Sequence, residues 1–265
     1  MIALDFDGTL SPIAPTPEAA VVHPDAPDVL SRLASRVRAL AVVTGRAPLD
    51  AARLLGWVDA EGRVAPCVRP TMIVLGHYGL QRWSARGGLS EVDVGDGIRR
   101  ARALLPDLLR RLPAPPGTRV EDKGIAIAVH VRRTPDPPAA LEALRDPLES
   151  LAKECGLRLE AGRMVWELRL HGADKGEAVR GLISELRPGA VVYAGDDWAD
   201  LVAFHALDRV GVPTLRICSA SAEVPELRAH ADLVVNGPDG VVAWLADLAA
   251  ALENRELRSD ADSAR

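Results

Sequence analysis

Six short apolar runs limit what this chain can fold into. They are Ile2–Phe6, Arg38–Thr44, Thr71–Gly76, Val191–Gly195, Thr214–Cys218 and Leu233–Val235. Each is too short for a buried helix and is rich in Val, Ile and Leu. Most show no polar alternation, so both faces of such a strand must be covered. Helical patterns stand between several of them. Pro27–Ala39 repeats apolar residues at Val29, Leu30, Leu33 and Val37, and Lys175–Leu186 repeats them at Val179, Leu182, Ile183 and Leu186, with Pro188-Gly189 as a stop. Strands alternating with helices predict an α/β protein built on an open parallel sheet.

The stretch from Gly95 to Leu170 follows another rule. Ile98–Leu112 reads as an Arg-rich amphipathic helix. Thr118–Arg132 alternates and reads as an antiparallel strand pair turning at Lys123-Gly124, with Ile125, Ile127, Val129 and Val131 on one face. Pro138–Cys155 predicts a second helix, which Pro147 is expected to kink or split. Leu157–Leu170 predicts another strand pair turning at Ala161-Gly162-Arg163. The sequence thus divides into a core, 1–94 with 171–265, and an inserted α+β domain, 95–170. The polar end, Glu253–Arg265, is expected to fray.

The 265 residues suffice for one core and one insertion. Formal net charge is −5 and aromatics are 3%, which argues against a basic or stacking surface for nucleic acid. No apolar run approaches the length of a membrane span. Met1-Ile2-Ala3-Leu4 runs straight into Asp5, the pattern expected of a chain with no secretory signal. Cys67, Cys155 and Cys218 have no metal-binding spacing and read as reduced thiols, so a cytoplasmic protein is expected.

The polar residues that end the strands carry the chemistry. In an open α/β sheet, ligands bind beyond the carboxyl ends of the strands. The first strand ends in Asp5-Phe6-Asp7-Gly8-Thr9, the second in Thr44-Gly45-Arg46, and a later one in Gly195-Asp196-Asp197 with Asp200 beyond; Lys175 opens a helix. Clustered carboxylates repel one another unless a cation sits among them, and an all-oxygen set suits Mg²⁺. A hydroxyl, an ammonium and free backbone N–H groups suit a phosphoryl group. One carboxylate can then attack phosphorus and a second can move protons. An Asp-x-Asp-Gly alone is commonly a turn, and a Gly-Asp-Asp alone a solvated loop. Four such motifs in order, each at a strand end or helix start, point to a phosphoryl-transfer site.

That order of motifs resembles the haloacid-dehalogenase-like phosphohydrolases, with a Rossmann-like core and an inserted α+β cap. Gly76-His77-Tyr78-Gly79, Glu121-Asp122-Lys123-Gly124, His130-Val131-Arg132, Trp166-Glu167-Leu168-Arg169 and Gly172-Ala173-Asp174-Lys175-Gly176 resemble the narrower family of trehalose-6-phosphate phosphatases. So does Asp232–Val241. The resemblance implies Asp5 as nucleophile and Asp7 as general acid and base, with Thr44 and Lys175 holding phosphoryl oxygens. It implies Mg²⁺ bound by Asp5, the backbone carbonyl of Asp7, and Asp196, with Asp197 and Asp200 beside it. Gly8, Gly45 and Arg46 would line the phosphate site. Glu121, Lys123 and Glu167 would bind sugar hydroxyls, joined by His77, His130, Arg132 and Arg169. Gly-His-Tyr-Gly departs from the Gly-Asn-His-Gly or Gly-Asn-Tyr-Gly expected there.

The expectation is a monomeric Mg²⁺-dependent phosphatase whose partner is a small sugar phosphate, trehalose 6-phosphate first. Sucrose phosphate or a glycosyl-glycerate phosphate is the nearest alternative. A phosphotransferase and a catalytically silent regulatory subunit are the others.

Overall fold

The computed structural model describes residues 1–14, 16, 19–91, 95–112, 114–162, 164–171, 174–220 and 225–263. The chain forms two compact units, Met1–Ser90 with Asp174–Arg265, and Glu91–Ala173. The first unit opens with β1 (Ile2–Leu4), α1 (Ala26–Ala34), β2 (Leu40–Val43), α2 (Pro48–Leu54), β3 (Met72–Gly76), β4 (Gln81–Ser84) and β5 (Gly88–Leu89). The second unit comprises α3 (Gly95–Arg111), β6 (Arg119–Asp122), β7 (Ala126–His130), α4 (Pro137–Cys155), β8 (Arg158–Gly162) and β9 (Val165–Arg169). The first unit resumes with α5 (Lys175–Leu186), β10 (Val191–Gly195), α6 (Trp198–Leu207), β11 (Thr214–Ser219), β12 (Leu233–Val235) and α7 (Gly237–Ser263).

In the first unit the strands run in the order β12-β11-β10-β1-β2-β3-β4-β5. The six from β12 to β3 are parallel, and β4 and β5 extend the edge antiparallel. Alternate residues of the parallel strands enter two separate cores. Leu4, Leu40, Val42 and Val74 pack with Val29, Leu30 and Leu33 of α1 and Val241 and Leu245 of α7. Ala3, Ala41, Val43, Ile73 and Tyr193 pack with Val179 and Leu182 of α5 and Phe204 of α6. This double burial is the physical reason for the unbroken apolar runs.

Several boundaries differ from the sequence reading. The run Ile2–Phe6 leaves the sheet at Leu4, because the Phe6 carbonyl turns to accept from Leu10 N–H and Ser11 N–H. The helix predicted over Pro27–Ala39 stops at Ala34, where the Leu33 carbonyl accepts from both Arg36 N–H and Val37 N–H. The tail expected to fray is helical as far as it is described: α7 continues to Ser263, with Ala264 and Arg265 outside the described residues, and Arg32 forks onto Glu253 at 3.0 and 2.8 Å while Arg36 reaches Glu256 at 3.0 Å. The antiparallel strands β4 and β5 and the helices α2 and α6 had no signal strong enough to be picked out. β5, for one, is exposed and only two residues long.

The second unit is a four-stranded antiparallel sheet, β6-β7-β9-β8, with α3 and α4 packed on one face. Ile127, Val129, Trp166 and Leu168 supply the strands' share of that core, against Ile98, Leu105, Leu144 and Leu148. Pro147 lies inside α4 without splitting it. Ala161 and Gly162, expected in the turn, belong instead to β8, where Gly162 pairs with Val165 of β9; Arg163 lies outside the described residues. Among the described residues, no helix is long and apolar enough to cross a membrane.

Candidate active site

The carboxyl ends of β1 and β10 place Asp5 and Asp196 side by side, both buried. Beyond Asp5 the chain turns sharply at Gly8, whose φ is +81°. Gly8 N–H donates to the Ser11 carbonyl at 2.7 Å, and Ser219 Oγ, at the end of β11, donates to the Gly8 carbonyl at 2.6 Å. A Cβ on Gly8 would lie 2.0 Å from Asp196 Oδ2, so the turn rests directly on that carboxylate.

The run Asp196-Asp197-Trp198-Ala199-Asp200 starts α6 with a capping box. Asp197 accepts from Asp200 N–H, and Asp200 accepts from Asp197 N–H, both at 3.1 Å. The same Asp200 oxygen accepts from Asp196 N–H at 2.9 Å. The other oxygen of Asp200 accepts from Tyr193 Oη at 2.6 Å and from Lys175 Nζ at 2.8 Å. Lys175 opens α5, whose N-cap Asp174 accepts from Glu177 N–H at 2.7 Å. The buried Lys175 ammonium also donates to Asp5 Oδ1 at 2.7 Å and lies 3.7 Å from Asp197 Oδ1.

Charges held this far from water shift one another. Burial pushes the Asp5 carboxyl well above its ordinary range against the pull of Lys175, and Asp200 and Asp197 push it the same way. Burial likewise raises Asp200, to about 6. Burial alone would lower Lys175; the carboxylates of Asp200 and Asp5 outweigh it and hold the amine above its usual range, so it is a cation at neutral pH. Burial also raises the Tyr193 phenol, which stays a donor.

Of the five acids read from the sequence as metal-binding, three converge. One carboxylate oxygen from each of Asp5, Asp196 and Asp200 lies within 4.8 Å of the others. Three buried carboxylates this close together, two of them bonded to Lys175, fit a small divalent cation, which would offset the repulsion among them, and oxygen donors suit a hard ion. Asp197 has its carboxylate in the helix cap. The Asp7 carboxylate is held by Arg46, with Nε 2.7 Å from Oδ2 and Nη2 2.6 Å from Oδ1, and the guanidinium stacks over Phe6 at 5.2 Å.

Thr44 follows β2 directly and is fully buried, and its Oγ1 accepts from Arg46 N–H at 3.2 Å. Gly45 lies between them, under the Tyr78 ring. His77 follows β3 in a short turn and has a φ of +52°.

The remaining predicted residues belong to the second unit. Strand register aligns Glu121, Ala128, Glu167 and Glu160 in one row across β6, β7, β9 and β8. This row lies on the face away from α3 and α4, since successive residues alternate. Lys123 Nζ donates to Glu167 at 2.5 Å, and His130 Nε2 lies 2.8 Å from Glu121 Oε2. Arg169 and Arg158 both pair with Glu160. Arg132 lies just past β7, exposed, in the turn that follows it. The row therefore gathers Glu121, Lys123, His130, Glu167 and Arg169. The sequence reading missed Glu160, and it missed Tyr193 beside Lys175. Glu160 could have been found from strand alternation opposite Glu167, whereas Tyr193 stands in an apolar run and gave no signal.

Comparison with known proteins agrees with this geometry. The family model described as trehalose-phosphatase matches residues 3–59 and 91–238, more than half of the chain. A probable trehalose-phosphate phosphatase of Sinorhizobium fredii is 32% identical over 219 residues, covering 81% of this chain and 76% of that protein. An uncharacterized glycosyl hydrolase of Mycobacterium tuberculosis is 32% identical over 271 residues, covering 98% of this chain. The chain spans 19% of the length of that relative, which is one of the first curated relatives it matches. The crystal structure of a trehalose-6-phosphate phosphatase related protein superposes with a TM-score of 0.70 at 25% identity, covering 96% of this chain and 99% of that one. With the motifs in order, the acids converging and the match extending over both units, the chain belongs to the trehalose-phosphatase family.

Proposed function

We propose that this chain is a Mg²⁺-dependent phosphomonoesterase that hydrolyses trehalose 6-phosphate to trehalose and phosphate through an aspartyl-phosphate intermediate. The observation that carries the reading is Lys175, buried between Asp5 and Asp200, whose carboxylates lie within 4.8 Å of that of Asp196. The relatives named as trehalose-phosphate phosphatases supply the substrate. Mg²⁺ held by Asp5 and Asp196, with Asp200 beside them, would supply positive charge opposite the phosphoryl oxygens.

Asp5 attacks phosphorus with one carboxylate oxygen while the sugar O6–phosphorus bond breaks. Asp7 gives a proton to the leaving O6, then takes one from the water that attacks the aspartyl phosphate. Phosphate departs and the Asp5 carboxylate is restored. Lys175 keeps its proton throughout and offsets charge on the transferring group, and the Thr44 hydroxyl donates to a phosphoryl oxygen. Proton transfer by Asp7 requires its pair with Arg46 to open, which frees the guanidinium for the phosphoryl oxygens. The second unit acts as a cap. Its row of Glu121, Lys123 and Glu167 offers acceptors and a donor to paired sugar hydroxyls.

The test is phosphate release, with and without Mg²⁺, from trehalose 6-phosphate, sucrose 6-phosphate, glucose 6-phosphate and an aryl phosphate. Mg²⁺-dependent preference for trehalose 6-phosphate supports both halves of the proposal. Preference for another sugar phosphate removes the sugar roles of Glu121, Lys123 and Glu167. No release from any of them removes the reaction itself.

A further inference from the structure

Two consecutive residues outside any glycine, His77 and Tyr78, hold φ values of +52° and +60° in the turn after β3. Left-handed backbone at two successive L-residues is costly and persists where the surroundings over-determine it. The surroundings here are the residues that frame the phosphoryl site. Tyr78 N–H donates to the Thr44 carbonyl and His77 N–H to the Arg46 carbonyl, both at 2.9 Å. The Tyr78 ring lies flush on Gly45, so that a Cβ there would stand 2.7 Å from its Cζ and Oη. Gly76 packs equally close to the Arg46 carbonyl, where a Cβ would come within 2.6 Å. At the other end of the turn, a Cβ on Gly79 would stand 2.6 Å from the Cβ of Ala178, on the first turn of α5 that begins with Lys175.

We propose that the Gly76–Gly79 turn is a splint, with Tyr78 as its positioning residue, that fixes the Thr44–Arg46 loop against the start of α5. It rests on the functional reading above for what the two elements hold. Thr44 and Arg46 come from one side of the splint and Lys175 from the other. Tyr78 acts through them: its ring occupies the space a Gly45 side chain would fill, and its N–H holds the Thr44 backbone. The glycines at both ends exist for close approach, and the left-handed pair turns the chain sharply enough to touch both neighbours.

The experiment compares Tyr78→Gly, Tyr78→Asn and Tyr78→Phe with the unchanged chain. Gly and Asn both tolerate left-handed backbone, so either deletes the ring without adding strain, and one serves if the other fails to fold. Measured are kcat and KM for an aryl phosphate and for trehalose 6-phosphate, the affinity for inorganic phosphate by calorimetry, and the thermal midpoint. Misplacing a binding group by about 1 Å can cost on the order of 100-fold in rate. Ring deletion is therefore expected to lower kcat by about 10- to 100-fold on both substrates alike. Phosphate affinity is expected to fall by about tenfold, with the midpoint nearly unmoved. Tyr78→Phe keeps the ring and is expected to retain rate and affinity.

Unchanged kcat and phosphate affinity on ring deletion would overturn the proposal. So would a loss confined to trehalose 6-phosphate, which would make Tyr78 a sugar contact, or an equal loss in Tyr78→Phe, which would assign the effect to the hydroxyl. Should the unchanged chain bind phosphate yet hydrolyse neither ester, the functional reading fails, and the phosphate affinities of the variants still decide for or against the splint.

Discussion

Gly8→Ala separates backbone strain from site geometry, because the structure supplies a matched control. At Gly8 the φ of +81° is left-handed, and adding a Cβ to such a residue costs about 1–2 kcal/mol. Gly56, just past α2, has a φ of +68° and nothing within 4 Å of a built Cβ, so Gly56→Ala carries the same strain alone. Gly8→Ala adds a collision, with the new Cβ 2.0 Å from Asp196 Oδ2 and 2.2 Å from Cγ. Real Cβ atoms keep at least 3.0 Å, so the turn and the carboxylate must part by about 1 Å. That displacement falls on a residue of the carboxylate cluster and on the loop carrying Asp7, and is expected to lower kcat on the order of 100-fold. In barrier height this is about 2.7 kcal/mol. Both variants should lose about 2–8 °C in thermal midpoint for the strain they share. The assay is phosphate release at saturating substrate over a Mg²⁺ titration, with midpoints by calorimetry. Gly8→Ala should lose rate and need more Mg²⁺, while Gly56→Ala should keep both at their original values. Equal rates in the two variants would refute the argument that contact between the turn and Asp196 shapes the site.

Three further outcomes are expected. Asp5→Asn removes the proposed nucleophile and should abolish phosphate release; Lys175 keeps its bond to Asp200, so circular dichroism should show an intact fold. Glu121→Ala should weaken action on trehalose 6-phosphate well beyond its effect on an aryl phosphate, measured as kcat/KM on each, and equal losses would remove Glu121 from sugar recognition. The hydrogen bond from Arg102 to Asp122, at 2.5 Å, holds that carboxyl below its ordinary value of 3.8. Its contribution is present above 3.8 and lost as pH falls through the lowered folded value. With both side chains over 40% exposed, that contribution is below about 1 kcal/mol. Denaturant unfolding should show Asp122→Asn less stable at pH 7, with the gap closing in acid.

The parallel core was legible because its signal is local and repeated. Every strand buried on both faces, such as Leu40–Val43, announces itself as an unbroken apolar run. The antiparallel strand β4 does not, since Gln81 and Arg82 face solvent in part and only Trp83 is buried. The last turns of α7 were read as frayed because Glu253 and Glu256 look solvated in one dimension. Their partners Arg32 and Arg36 are more than two hundred residues away in sequence. Shorter separations hid the pairing of Asp7 with Arg46, 39 residues apart, and of Glu160 with Arg169, 9 residues apart: each charge was visible, and its partner was a matter of how the strands align.

The Asp197–Asp200 spacing shows why part of a site can be read at all. A capping box demands an acceptor at the N-cap and another three residues on, and Asp197 and Asp200 stand at those two positions. The spacing that looks like a catalytic signature is thus also the spacing that starts α6. Both jobs fall on Asp200. One of its oxygens takes the N–H groups of Asp196 and Asp197; the other takes Tyr193 and Lys175. The helix start therefore sets the height at which the Lys175 ammonium meets Asp5. Sequence reveals such residues because local backbone geometry constrains their spacing. The row of Glu121, Glu167 and Glu160 obeys no such local rule, only the pairing of four strands. Chemistry held by helix starts and strand ends can stay constant while a cross-strand row is altered one residue at a time, and substrate choice is expected to vary through that row.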